Sequence, residues 1–138
     1  MNTQRAKRPH WIPVVAALIR RQDQLLLGLR PEGHSLAGLW EFPGGKIELG
    51  ESPQQALARE LEEELGIQAE IEELKLAITH SFGSTGIVLL FFEVNYWKGE
   101  PKTRHHSELK WVSLTELGKH ELPEANQKIL PHLLSILK

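Results

Sequence analysis

A chain of 138 residues suits one domain large enough to bury its own hydrophobic core. It has no cysteine, which excludes disulfides, thiolate metal sites and a cysteine nucleophile. Its formal net charge of −2 gives no bulk attraction to nucleic acid, and no apolar run approaches membrane-spanning length, so neither nucleic acid nor a membrane is an expected partner. The polar, basic residues 1–10 read as a flexible N-terminal arm with no signal-peptide apolar region behind it, and residues 11–138 as a single domain. These features suit a cytoplasmic protein, monomeric or homodimeric.

The apolar and partly β-branched residues 12–21 predict a strand, Gln22-Asp23 a turn, and residues 24–30 a returning strand. Residues 31–38 (PEGHSLAG) read as a loop, followed by a short extended piece over 39–42 that ends at Pro43-Gly44-Gly45. Ser52 is a good N-cap, Pro53 suits the first helical position and Gly66 suits a C-cap, so a helix is predicted between them. Ala56, Leu57, Leu61 and Leu65 give that helix an apolar stripe. Strands over 67–79 and 86–96, a turn over 98–101, a short strand over 109–112 and a closing amphipathic helix over 127–137 follow. Strands on both sides of one central helix imply a mixed sheet packed between helices.

The chemistry concentrates in residues 45–67, GKIELGESPQQALARELEEELGI. Glu60, Glu63 and Glu64 stand at i, i+3 and i+4 and share one helix face. Like charges at that spacing repel, and carboxylates near a helix C-terminus oppose its dipole. A hard divalent cation would offset both costs, because Mg²⁺ takes carboxylate and phosphate oxygens. From these three residues alone, a solvated acidic face is the commoner reading. Their neighbours point the other way. Gly44 and Gly45 let backbone approach a ligand or metal closely, and Arg59 stands where it can pair with Glu51.

Gly45, Glu51, Arg59, Glu60, Leu61, Glu63, Glu64, Gly66 and Ile67 match, without departure, the signature that marks the Nudix hydrolases. Chance would produce such a match in about one chain per million of this length, from average composition. The resemblance implies an α/β/α sandwich with a mixed central sheet and a strand-loop-helix-loop catalytic unit. It implies hydrolysis of a pyrophosphate linkage in a nucleotide. Carried over residue by residue, Glu60, Glu63 and Glu64 would be metal ligands, Gly44 a carbonyl ligand, and Arg59 with Glu51 the ion pair orienting loop and helix. The cofactor implied is Mg²⁺, with Mn²⁺ as a substitute.

The segments LWEFPGGKIELGE, WKGEP, LKWVSL and LPEAN extend the resemblance to the MutT-like branch of that family, from about Ile12 to the last helix. This implies a nucleoside triphosphate pyrophosphatase releasing a monophosphate and pyrophosphate, with oxidised purine nucleotides such as 8-oxo-dGTP as substrate. The alternatives are a CTP-type pyrimidine triphosphate, a dinucleoside polyphosphate or a nucleotide sugar, and in another class a non-catalytic nucleotide-recognition module. The branch pattern gives Arg30 to the phosphates or sugar, Phe42 to the base pocket, Glu41 to the pocket wall and Asn126 to the purine edge. On local grounds Asn126 reads instead as the N-cap of the closing helix. Relatives carry an acidic residue where this chain has His105, which leaves His105, Glu108 or a glutamate of the motif as the general base. The tryptophans at 40, 97 and 111 read as strand-packing residues.

Overall fold

In a computed structural model, which describes residues 8 and 10–137, a mixed sheet lies between two helical layers. Of the expected arm over 1–10, all but Arg8 and His10 lies outside the described residues, and His10 already opens the first strand.

That strand, β1 (His10–Arg21), is the axis of the fold. Its apolar run alternates between two cores, as the two-residue side-chain period of a strand requires. Val15, Ala17 and Ile19 face one side, and Ala16 and Leu18 face the other. One edge of β1 pairs in parallel with β7 (Thr85–Val94) over ten residues. The opposite edge is divided. Its outer end forms a hairpin with β2 (Gln24–Leu29) through Gln22, whose φ is 57°. Its middle, Val14 to Ala16, pairs with β4 (Gly44–Lys46). The sheet is completed by β3 (Trp40–Glu41) and β9 (Glu108–Ser113) on β2, and by β6 (Leu74–Phe82) on β7. A separate pair joins β5 (Gln68–Ala69) to β8 (Trp97–Lys98).

The central helix α1 (Pro53–Leu65) covers one face, burying Ala56, Leu57, Leu61 and Leu65 against Val15, Ala17 and Phe92. Ser52 and Gln55 close a capping box, and Gly66 ends the helix at φ 70°. The acidic C-terminal end receives help from far along the chain: Arg104 Nη1 donates to the Glu62 carbonyl at 3.2 Å, and the Lys102 amide donates to that of Leu65 at 2.9 Å. The other face carries a 3₁₀ turn (Leu114–Lys119) and two short helices, α2 (Glu124–Gln127) and α3 (Leu130–Ile136). Among the described residues no helix is long and apolar enough to cross a membrane.

Four local expectations need correction. Gly44-Gly45-Lys46 is a strand of its own rather than the end of the short extended piece over 39–42, because β1 offers it a free edge. The expected strand over 67–79 is split in two, since β5 pairs with β8 while β6 pairs with β7. The turn expected over 98–101 begins one residue later, since Lys98 belongs to β8. The closing helix breaks at Lys128–Ile129, where Pro131, in the first turn of α3, restarts it. Asn126 therefore sits inside α2 and caps neither helix.

Two substitutions gauge this frame in urea denaturation. Ser52→Ala removes half of the capping box and should cost about 1 kcal/mol. Leu61→Ala, at a fully buried position, should cost about 3 kcal/mol.

Candidate active site

The glutamates of α1 meet backbone that carries no side chains. A Cβ at Gly45 would overlap the Glu60 carboxylate, and one at Gly44 would overlap the Val15 carbonyl. Two glycines are thus what let β4 lie between β1 and the helix. Glu64 is only 9 % exposed, and its Oε1 is buried without a hydrogen-bond partner. Burial pushes its carboxyl up to about 8, Glu60 and Glu41 add repulsion, and a hydrogen bond from the Gly44 backbone opposes the rise. Burial, then the neighbouring Glu63, raise Glu60 to about 7 against the attraction of Arg59.

Arg59 ties this cluster to the loop before α1. Its Nε and Nη2 donate to the two oxygens of Glu51 at 2.7 and 3.0 Å, a fork-to-fork pair. Nη1 reaches Glu60 at 3.1 Å and Glu63 at 3.3 Å, and Nη2 also meets the Lys46 carbonyl. Glu51 accepts from the Glu48 amide as well, and with Arg59 this holds its carboxyl below the usual range. Arg59, Glu60, Glu63 and Glu64 therefore come together as the helical spacing predicts, with Glu51 and Gly44 beside them as the resemblance implies. Glu63 remains 57 % exposed.

A second cluster borders the first. Glu41 accepts from Arg30 Nη1 at 2.9 Å, and its other oxygen lies 2.8 Å from His106 Nε2. Burial would raise Glu41, but the hydrogen bonds from His106 and Arg30 outweigh it and hold the carboxyl low. Arg30 Nε also donates to the Ser35 carbonyl at 2.7 Å, which pins the loop over 31–39. His105 is exposed beside this group, its ring edge-on to that of His106 at 4.9 Å. Ligand atoms of Glu41, His105 and His106 lie within 4.8 Å of one another. Partial desolvation, chiefly, lowers the pKa of His105. Glu108 is exposed at the start of β9.

An open cleft of about 640 Å³ reaches from Arg30 of the second cluster to sheet residues of β1, β6 and β7. Arg30, Ser35 and Lys46 line its polar side, while Val14, Phe82 and Ile87 are among its apolar lining residues. Pro123, Glu124 and Ala125 line it as well, immediately before the buried Asn126. Phe42 does not line it: this ring is 4 % exposed and packs edge-on against Phe91 in the core. Trp97 and Trp111 stack on each other 5.9 Å apart beneath Arg21, away from these groups.

Two participants escaped the sequence reading. Lys46 follows the glycine pair and reaches the cleft only because β4 is a strand. His106 is 3 % exposed although it lies in a polar loop. A signal for it existed: Gly28 interrupts an otherwise apolar strand, and a strand-interior glycine marks close approach of another group.

The NUDIX domain pattern matches residues 14–132. The chain belongs to the Nudix family. It is 42% identical over 125 residues to a Haemophilus influenzae protein named 8-oxo-dGTP diphosphatase, covering 90% of this chain and 92% of that one. It is 38% identical over 125 residues to an Escherichia coli protein named CTP pyrophosphohydrolase, covering 91% and 93%. The solution structure of the E. coli ORF135 protein superposes with a TM-score of 0.85 at 37% identity, covering 94% and 92%. The mixed sheet between helical layers is thus a Nudix fold. The expected α/β/α sandwich is what the structure shows.

The raised carboxyls of this Nudix site fix a pH dependence for the metal-free protein. A carboxyl whose folded pKa exceeds its unfolded value contributes fully to stability below the unfolded value, and that contribution is lost as pH rises through the folded one. For Glu60 and Glu64 the window runs from about 4.5 to about 8. In the presence of EDTA, Tm should fall as pH rises from 5 to 8.5. Glu64→Gln should flatten that slope and raise Tm at the alkaline end, as scanning calorimetry would show.

Proposed function

We propose that this chain is a divalent-metal-dependent nucleoside triphosphate pyrophosphatase that releases a nucleoside monophosphate and pyrophosphate, with 8-oxo-dGTP as its substrate. The observation that carries the metal-dependent part is the orphaned, buried oxygen of Glu64 beside a second carboxylate pressed onto Gly45. Buried charges of one sign are retained where a partner of opposite charge binds. The donors are carboxylate oxygens, which suit a hard cation. Glu60, Glu63 and Glu64, with the Gly44 carbonyl, would hold Mg²⁺, and Mn²⁺ would substitute. Bound there, the ion supplies charge neutralisation on the diphosphate and activation of water.

The chain's own groups do the rest. Arg59, clamped by Glu51, keeps the helix and its preceding loop in one register, so the carboxylates converge without rearrangement. Arg30 and Lys46 present positive charge on the cleft wall, where phosphate oxygens would lie. His105, exposed beside the second cluster and with its pKa lowered, is the group proposed to take the proton from the attacking water. The apolar side of the cleft suits the flat faces of a base. Asn126, freed from any capping role, offers amide donor and acceptor to a purine edge.

The name of the H. influenzae relative supports the oxidised purine. A CTP-type substrate is the second reading, favoured by the name of the E. coli relative. A panel of 8-oxo-dGTP, dGTP and CTP, compared by kcat/KM with Mg²⁺, separates the two. The leading reading requires the oxidised purine to be preferred, and a preference for CTP replaces it. EDTA should abolish all hydrolysis and Mg²⁺ restore it. Asn126→Ala should lower kcat/KM for 8-oxo-dGTP about ten- to a hundredfold, the scale of a lost polar contact to the base, with much smaller losses on CTP.

A further inference from the structure

We propose that His106 is a positioning residue: through Glu41 it fixes the guanidinium of Arg30 in the orientation that receives the nucleotide. This rests on the reading of Arg30 as a phosphate-facing group.

The ring of His106 is seated in a slot made by a missing side chain. A Cβ at Gly28 would come within 2.5 Å of its Cγ and Cδ2 and 2.7 Å of its Nδ1. Gly28 pairs with Glu41 across β2 and β3, and with Leu109 across β2 and β9. The slot therefore opens directly beside Glu41. His105 closes over the ring edge-on.

The hydrogen-bonding pattern fixes the tautomer. Glu41 is held ionised by its partners and only accepts, so the proton lies on Nε2, 2.8 Å from its Oε2. Nδ1 is buried without a partner, and a proton there would be an orphaned donor. With Oε2 taken by His106 and Oε1 by Arg30, Glu41 cannot turn about its last torsion. Arg30 is fixed in turn at Nη1 by Glu41 and at Nε by Ser35. Without His106, one oxygen of Glu41 would be released and Arg30 would be held by a swivelling carboxylate.

Core filling alone does not account for this residue. A leucine would occupy the slot without burying an unpaired nitrogen, which burial penalises. The polar ring is explained by what its other nitrogen holds.

The test is a double-mutant cycle between His106→Leu and Arg30→Ala, with His106→Gln alongside. Steady-state hydrolysis is measured on whichever of dGTP, 8-oxo-dGTP and CTP the wild type prefers. Wild-type turnover, measured first, tests the underlying reading by itself. His106→Leu should raise KM about tenfold with little change in kcat. His106→Gln, whose amide can donate from the same place, should stay within about threefold of wild type. In the Arg30→Ala background, His106→Leu should add less than about twofold, because the group it positions is gone. Equal losses in both backgrounds, a fall confined to kcat, or a glutamine no better than leucine would overturn the proposal. If His106→Leu does not fold, ¹⁵N ring spectra of the wild-type protein decide: an Nε2–H tautomer supports the network, and an Nδ1–H tautomer overturns it.

Discussion

The glutamates of α1 are held against β4, and β4 can occupy that place only because two of its three residues have no side chain. Gly44 packs on the Val15 carbonyl and Gly45 on the Glu60 carboxylate, so the helix approaches backbone directly. The apolar stripe of Ala56, Leu57, Leu61 and Leu65 drives this approach, since its burial draws the helix onto the sheet whatever happens to the charged face. Carboxylates are thereby carried out of water as a side effect of forming the core. Their raised pKa values record that cost, and it is the same cost that a cation would relieve.

Two arginines organise the surroundings by one device. Arg59 is clamped by both oxygens of Glu51, and Arg30 by Glu41 and a loop carbonyl. Each guanidinium is fixed at one end by a carboxylate that is itself anchored, Glu51 by a backbone amide and Glu41 by His106. Charge is therefore placed before any ligand arrives, which reduces the reorganisation that binding requires. Arg59 stands on the acidic helix, and Arg30 follows the end of β2 and lines the cleft. The divided edge of β1, with β2 on its outer end and β4 on its middle, brings these two regions side by side.

Much of this was legible in the sequence because it is local. The helix and its caps follow from Ser52, Pro53 and Gly66, and the convergence of Arg59, Glu60, Glu63 and Glu64 follows from helical spacing. The fold class follows from the order of strand and helix patterns. The sequence also pointed to the Nudix family through a motif confined to 23 consecutive residues, GKIELGESPQQALARELEEELGI. Local propensity misread segments whose state depends on a distant partner. Gly44-Gly45-Lys46 is a strand because β1 has an open edge, and the run after Gly66 divides because its two ends pair with different strands. Asn126 resembles a cap until Pro123 starts α2 three residues earlier.

What the sequence determined by itself was the composition of the acidic helix face and the frame that carries it, since residues three and four apart on a helix are neighbours by geometry alone. The tertiary structure decided the environment of each group. It took Phe42 into the core rather than the cleft, left His105 in solvent and buried His106 against Gly28, 78 residues earlier in the chain. It also supplied Arg104 and Lys102 to the C-terminal end of α1. These pairings join residues far apart in the chain, and no periodicity encodes them. They exist because the sheet's register brings separate loops to one edge, and only the folded chain fixes that register.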